Sequence, residues 1–204
     1  GHALIVDRSE IVDIVPLDAV GSGVASVDAR GRYVTPGLVD IHTHGALGHT
    51  FNEPAPDAFA TIVEENARRG VTALVATVAT AAVPDLLACL QFARDWMGQP
   101  RAGAQVLGVH LEGPYMHRAQ AGALDPNNLR TPDDGTPDLF FDYADVIRIV
   151  SYAPELPGAI ALTRRLVELG IVPAAGHSTA REEDIVPVIA VSYTHLRAHE
   201  TKAN

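Results

Sequence analysis

Two histidines separated by a single residue, His42 and His44, are the residues of this chain best placed to do chemistry. They follow an apolar, β-prone run over residues 33–41 that is broken by Pro36 and Gly37. Because side chains along a strand alternate in direction, residues i and i+2 point to the same side and two imidazoles can reach one ion. A His-x-His triplet also occurs by chance, and each histidine can be an ordinary polar residue at a strand end. The pair is therefore a hypothesis of a metal site, which the rest of the chain has to support.

Composition limits the partners that this chain can have. Its 204 residues include 15 basic and 25 acidic side chains, and the formal net charge is −10, which argues against a nucleic-acid or anionic-membrane partner. The single cysteine, Cys89, lies in an apolar segment and indicates a core residue of a protein from a reducing compartment. The sequence has neither an apolar run of membrane-spanning length nor a secretion leader, so we expect a cytoplasmic protein.

The last residues, 191–204, differ in character from everything before them. Residues 1–190 contain 13 arginines and no lysine, whereas Lys202 is the single lysine of the chain. The segment 191–201 looks like the conceptual translation of a transposase-end sequencing adapter, and we interpret residues 191–204 as a non-native tail. On this interpretation the natural protein continues past Ala190, and the chain is a C-terminally truncated fragment.

Strand and helix patterns alternate from residue 36 onward. Apolar or β-branched runs lie near residues 38, 71, 105, 146 and 171, and segments of helical periodicity separate them; Asp57 is the expected N-cap of the first helix. Such alternation indicates a parallel sheet covered on both faces, and five units fit most of a TIM-type barrel. We therefore predict an α/β fold: an incomplete (β/α)8 barrel over residues 36–190, preceded over residues 1–35 by a small β module with three β-prone runs, the last at residues 24–27. A doubly wound open sheet is the structural alternative, although no G-x-G-x-x-G motif supports its dinucleotide-binding form.

The carboxyl ends of the strands form the active face of a barrel, so the residues found there test the metal hypothesis. The first strand ends at His42 and His44, the third at Glu112 and the fifth at His177. Three strands thus present a donor set that binds one or two divalent ions, with Zn, Fe, Mn and Co all acceptable. Since residues 1–190 contain no lysine that could bridge two ions as a carbamate, Glu112 is the bridging candidate. Such a site can activate water for hydrolysis.

Four motifs carry a family resemblance. Residues 36–45 (PGLVDIHTHG), 110–114 (HLEGP), 153–155 (APE) and 175–178 (AGHS) resemble, in order and at similar spacing, motifs of the N-acetylglucosamine-6-phosphate deacetylases of the amidohydrolase superfamily. The resemblance implies hydrolysis of the acetamide of a 6-phosphorylated amino sugar to acetate and glucosamine 6-phosphate. It also implies that Glu112 and His177 bind the main metal ion, that His42 and His44 serve a second ion, and that the full-length protein forms a homodimer.

Two departures limit this resemblance. The family motif Lys-Gly-Ala-His-Asn-Pro corresponds here to residues 121–126, in which Leu124 replaces a histidine that helps to polarise the acetyl carbonyl. Leucine cannot donate a hydrogen bond, so either the substrate differs, or His117 takes the role, or rate is lost; Ala123 and His117 are thus the candidate substrate contacts. The family's later metal-binding histidine and its catalytic aspartate have no counterpart. We do not assign His195 to that ligand position, because it lies in the adapter-like tail.

Two further residues receive a structural interpretation, and two other functions stay open. We expect His110 to point away from Glu112 and to pack in the interior, and Glu155 to hold the loop after the fourth barrel strand.

The alternative functions are an amidohydrolase acting on another N-acyl or cyclic amide, and a non-catalytic metal-binding or scaffold protein. For the chain as given, we expect negligible deacetylase activity and poor solubility, because an open barrel leaves an unpaired apolar strand edge.

Overall fold

The computed structural model describes residues 1–8 and 10–200, except for the side chains of residues 193–200. The chain divides into two compact units, residues 1–36 and the residues from 37 on. In the first unit, β1 (His2–Asp7) pairs antiparallel with β2 (Glu10–Pro16). The β-prone run at residues 24–27 forms no strand, which corrects that prediction. Val24 and Val27 are exposed instead, since a β-branched sequence becomes a strand only where it finds a partner.

The second unit alternates strands with helices. Its elements, in chain order, are β3 (Leu38–Thr43), the short antiparallel pair β4 (Gly45–Ala46) and β5 (His49–Thr50), α1 (Pro56–Arg68), β6 (Val71–Ala79), α2 (Val83–Met97), β7 (Gln105–Glu112), α3 (Pro137–Phe141), β8 (Ile147–Tyr152), α4 (Ala159–Glu168), β9 (Val172–Ala175) and α5 (Glu182–Glu200).

The five long strands of this unit form one parallel sheet in the order β3-β6-β7-β8-β9. Each of these five strands therefore pairs with the next of the five along the chain, as in a barrel, whereas a doubly wound sheet reverses its strand order at a switch point. The predicted incomplete barrel is confirmed, and the doubly wound alternative is wrong.

Helix α1 begins two residues earlier than the sequence indicated. Ala55 is its N-cap and Pro56 is its first residue, a position that suits proline because no intrahelical partner is lost there. The prediction of Asp57 as N-cap is thus wrong. Asp57 instead lies in the first turn, where its carboxylate interacts favourably with the helix dipole.

The core lies between the sheet and the helices on its outer face. Phe59 of α1 and Trp96 of α2 pack together there, and Leu74 and Leu111 are buried on the neighbouring strands. The edge strand β3 differs: Ile41, like its neighbours Leu38 and Val39, is more than half exposed. Among the described residues, the outer edges of β3 and β9 pair with no other strand.

Helix α5 continues through Ala190 and Val191, so no break in secondary structure coincides with the predicted start of the non-native tail. Residues 201–204 of that tail lie outside the described part of the chain. Within the described part, no helix is long and apolar enough to span a bilayer.

Candidate metal centre

The carboxylate of Glu112 is the centre of a cluster at the carboxyl ends of the strands. Glu112 ends β7, and its side chain is only 11% exposed. The Nε2 atom of His44 lies 3.4 Å from Oε2, while the Nε2 atoms of His42 and His177 lie 3.7 Å and 3.4 Å from Oε1. The structure thus brings together all four residues that the sequence indicated as metal ligands.

The spacing of these atoms fits a bound cation. Two donor atoms that each lie about 2.1 Å from a tetrahedral ion are about 3.4 Å apart, which is longer than an ordinary hydrogen bond. The donor atoms of His42, His44 and Glu112 all lie within 4.8 Å of one another. Two imidazoles and a carboxylate are also a donor set that divalent metals accept. A His-His-Glu group suited to a divalent ion is therefore present.

Side-chain oxygens fix the end of β3, where the two histidines stand. The pairing of β3 with β6 becomes irregular between Asp40 and Thr43, so backbone amides there need other partners. The amide of His42 donates to Oδ1 of Asp40, and the amide of Thr43 donates to Oγ1 of the buried Thr77, both over 3.0 Å. The rings of His42 and His44 then meet edge to face, with centroids 5.1 Å apart.

The backbone around Glu112 is held by the neighbouring strands. The hydroxyl of Thr80, just beyond β6, donates to the Glu112 carbonyl over 2.8 Å, and the Gly113 amide donates to the Ser151 carbonyl of β8 over 3.1 Å. Gly113 has a φ of +95°, and a Cβ atom there would lie 2.0 Å from Oγ1 of Thr80. Only glycine allows the chain to turn here while Thr80 stays close.

His177 is oriented by the loop that follows β7. Its Nδ1 atom lies 2.8 Å from the carbonyl oxygen of Gln120, and its own carbonyl accepts the amide of His117 over 2.9 Å. A carbonyl oxygen can only accept, so Nδ1 of His177 carries the proton. The lone pair of a neutral ring is then on Nε2, which faces Glu112, as in metal-binding histidines whose other nitrogen donates to the protein.

His110 points toward the cluster, and the expectation that it points away from Glu112 is wrong. Residues 110 and 112 are two apart on β7 and so share a side of the sheet. The buried His110 ring lies 5.0 Å from the His42 ring, and its Nε2 atom is 2.7 Å from Oγ of Ser151. Burial, followed by the nearby His42, lowers the pKa of His110. The ring packs behind His42, in agreement with the expected interior position.

Sequence reasoning missed Thr77, Thr80 and Ser151, the buried polar residues that support the cluster. Each stands within or directly after an apolar strand, and a hydroxyl inside such a run is the signal that points to them. Their partners are 32 to 41 residues away in the chain, so the sequence does not identify the contacts.

The two candidate substrate contacts lie on one loop. His117 is half-buried and lines an open cleft of about 510 Å³ together with Arg118 and Arg130, among others. Ala123 is exposed and follows Gly122, where an added Cβ would lie 3.9 Å from Cε1 of His177. The loop therefore passes close to the cluster, and both substrate roles stay predictions.

The chain thus has the features of a metal-dependent barrel protein: a parallel half barrel with His-x-His, Glu and His at the carboxyl ends of its strands. The amidohydrolase family model matches residues 33–168, and the chain belongs to the amidohydrolase family.

Individual relatives narrow the comparison. The chain is 28% identical over 182 residues to the N-acetylglucosamine-6-phosphate deacetylase of Haemophilus influenzae, covering 89% of this chain and 47% of that protein. It is 30% identical over 180 residues to the N-acetylgalactosamine-6-phosphate deacetylase of Escherichia coli O157:H7, covering 88% and 46%. The crystal structure of the N-acetylglucosamine-6-phosphate deacetylase of Pasteurella multocida superposes with a TM-score of 0.87 at 28% identity, over 94% of this chain and 50% of that one. The chain thus spans about half the length of the relatives it matches, and the resemblance seen in its motifs is confirmed.

Proposed function

We propose that this half barrel is the metal-binding part of an enzyme that hydrolyses N-acetylglucosamine 6-phosphate to glucosamine 6-phosphate and acetate. The observation that carries the proposal is the convergence of His42, His44 and His177 on Glu112, in a chain similar to such deacetylases over most of its length. The Escherichia coli relative is named for the galactosamine epimer, so N-acetylgalactosamine 6-phosphate is the second candidate substrate.

The three histidines lie on different sides of the Glu112 carboxylate. Oε2 faces His44, whereas Oε1 faces both His42 and His177, so the carboxylate can serve one ion or bridge two. These residues would hold a divalent ion, whose chemistry would be to polarise the amide carbonyl and to lower the pKa of water toward neutrality. The donor set is compatible with Zn, Fe, Mn or Co. We assign no general acid or base among the described residues.

His117 is proposed to take the role of the family histidine that Leu124 replaces. Its Nδ1 atom accepts the Ala119 amide over 3.2 Å, so in the neutral ring Nε2 carries the proton and can donate it to a substrate carbonyl. Ala123, exposed on the same loop, is the second proposed contact. We further propose a cytoplasmic location from the composition, and a homodimer from the family resemblance alone.

Metal binding tests the first part of this proposal on the chain itself. Metal-free protein is titrated with Zn²⁺ or Co²⁺ by calorimetry, beside Glu112→Gln and His44→Ala variants. We expect each substitution to weaken binding at least tenfold, because each removes a donor atom from the cluster. Glu168→Gln is the matched control, since that exposed carboxylate on α4 pairs only with Arg165 among the described contacts. Equal affinities for all four proteins would contradict the site.

Catalysis is tested with a chimera of residues 1–190 and the remaining half of the Haemophilus influenzae relative. Acetate release is measured from N-acetylglucosamine 6-phosphate, its galactosamine epimer, the unphosphorylated sugar and N-acyl amino acids. We expect the phosphorylated sugars to be preferred and Glu112→Gln to abolish turnover. A folded, metal-loaded chimera with no preference for phosphate supports another amidohydrolase activity, and one that hydrolyses nothing supports the non-catalytic alternative.

A further inference from the structure

His177 has a backbone conformation that few residues with a side chain adopt. Its φ is +48°, in the left-handed region. A residue stays in this region only where its surroundings impose the conformation. On the N-terminal side, the Gly176 amide donates to the Tyr152 carbonyl over 3.1 Å, which continues the pairing of β9 with β8. The constraint on the C-terminal side comes from a different loop.

That constraint is the carboxylate of Glu155, in the loop after β8. Its Oε2 atom accepts the Ser178 hydroxyl over 2.7 Å, and its Oε1 atom accepts both the amide and the hydroxyl of Thr179, over 2.6 Å and 3.1 Å. Ser178 Oγ in turn accepts the Ala180 amide over 2.8 Å. All three donors to Glu155 thus belong to the two residues that directly follow His177.

The charge state of Glu155 matches this arrangement. Burial alone would raise the pKa of the carboxyl, but the hydrogen bonds from Ser178 and Thr179 outweigh it and lower the pKa. The carboxylate is therefore ionised at neutral pH, and an ionised acceptor forms stronger hydrogen bonds than a neutral one. Its role goes beyond the loop after β8, because it joins that loop to the segment after β9.

We propose that Glu155 is a positioning residue for the metal centre, which holds residues 178–180 so that His177 presents Nε2 to Glu112. The inference rests on the proposed function in one respect, namely that His177 is a metal ligand. Glu155 holds the backbone after His177, while the bond to Gln120 fixes the rotation of the ring. A histidine released from either constraint would bind an ion more weakly.

A double-mutant cycle on the full chain tests this role. Metal-free protein is titrated with Co²⁺, and affinity is followed by calorimetry and by the visible absorption of the bound ion. We expect Glu155→Gln to weaken binding about tenfold, in the range for residues that orient metal ligands. His177→Ala should also weaken binding, and Glu155→Gln should cause no further loss in the His177→Ala background. Glu168→Gln, which makes the same change on the exposed face of α4, should leave the affinity unchanged.

A second measurement needs no metal. Hydrogen exchange at the Thr179 amide should be faster in metal-free Glu155→Gln, while exchange within β6 and β7 stays unchanged. If Glu155→Gln does not fold, Thr179→Val removes one of the three hydrogen bonds to Glu155 and should weaken Co²⁺ binding in the same direction by a smaller factor.

The outcomes separate this inference from the proposed function. Equal weakening by Glu155→Gln with and without His177 indicates a general structural role and overturns the inference. An unchanged affinity in Glu155→Gln, beside a clear loss in His177→Ala, overturns the inference alone. If His177→Ala itself leaves Co²⁺ binding unchanged, the ligand assignment of the proposed function fails and this inference fails with it.

Discussion

Replacing Gly113 by alanine puts a methyl group into the space that Thr80 occupies behind the metal centre. The new Cβ atom would lie 2.0 Å from Oγ1 of Thr80, which cannot stay where it donates to the Glu112 carbonyl. The backbone φ of +95° also becomes unfavourable once a side chain is present. The substitution therefore strains the turn and breaks a buried hydrogen bond.

The expected cost follows from these two effects. A residue with a side chain in the positive-φ region costs about 1–2 kcal/mol, and losing a buried hydrogen bond costs about 1–2 kcal/mol more. The free energy of unfolding should thus fall by about 2–4 kcal/mol. With a urea m-value of about 2 kcal/mol/M, the unfolding midpoint moves down by about 1–2 M.

Gly135→Ala is the matched control for urea unfolding of this variant. Gly135 also has a positive φ, +84°, but an added Cβ there would meet no atom within 4 Å, so only the backbone strain of about 1–2 kcal/mol applies. The difference between the two variants isolates the displacement of Thr80. Gly113→Ala should also weaken Co²⁺ binding, whereas Gly135→Ala should not. If both variants unfold at the same urea concentration, the assignment of Gly113 as a required close approach is refuted.

Three other predictions concern the substrate, acidity and the sheet edge. In the chimera, His117→Ala should lower kcat for N-acetylglucosamine 6-phosphate about 100-fold by removing a donor to the acetyl carbonyl, whereas Glu168→Gln on α4 should change it little. An unchanged rate in His117→Ala would argue against this role. The pKa of Glu155 is lowered in the folded protein, so its contribution to stability is complete above the unfolded pKa of about 4.3 and is lost as the pH falls through the folded pKa. When the pH is lowered below about 4, the urea concentration at the unfolding midpoint should therefore decrease for the wild type, and it should decrease less for Glu155→Gln. Exposed β3 should cause concentration-dependent association in size-exclusion chromatography, and Ile41→Lys should reduce it; a wild type that is monomeric at all concentrations would contradict this expectation.

The order of the strands and the membership of the cluster follow from local sequence. Each strand is a short apolar run, and its last residues identify the carboxyl end, where parallel strands meet at one face. This reasoning selects Glu112 and His177 together with the His-x-His pair. These four residues can be selected without knowing which side chains are in contact, because the topology of a barrel brings the carboxyl ends of its strands together.

The supporting contacts could not be predicted in this way. Thr77 and Ser151 bond to residues on neighbouring strands, and those contacts depend on the register, which shifts twice between β3 and β6 and once between β7 and β8. His177 has a positive φ that its own sequence, Gly-His-Ser, does not indicate, and the residues that contact its neighbours lie elsewhere in the chain. The side chain of His110 could have been placed from the sequence, because side chains two residues apart on a strand, such as 110 and 112, point to the same side of the sheet.

The consecutive strand order also places the cluster across the sheet, from its central strand to one of its edges. Glu112 stands on the central strand β7, whereas His177 follows β9, a four-residue strand with a partner on only one side among the described strands. An ion held by both residues would bind the intact sheet and not the separated edge, so it would stabilise the paired position of β9 by mass action. If both residues bind an ion, metal affinity and the opening of β9 from the sheet would be two measures of one equilibrium, and added metal should slow hydrogen exchange in β9.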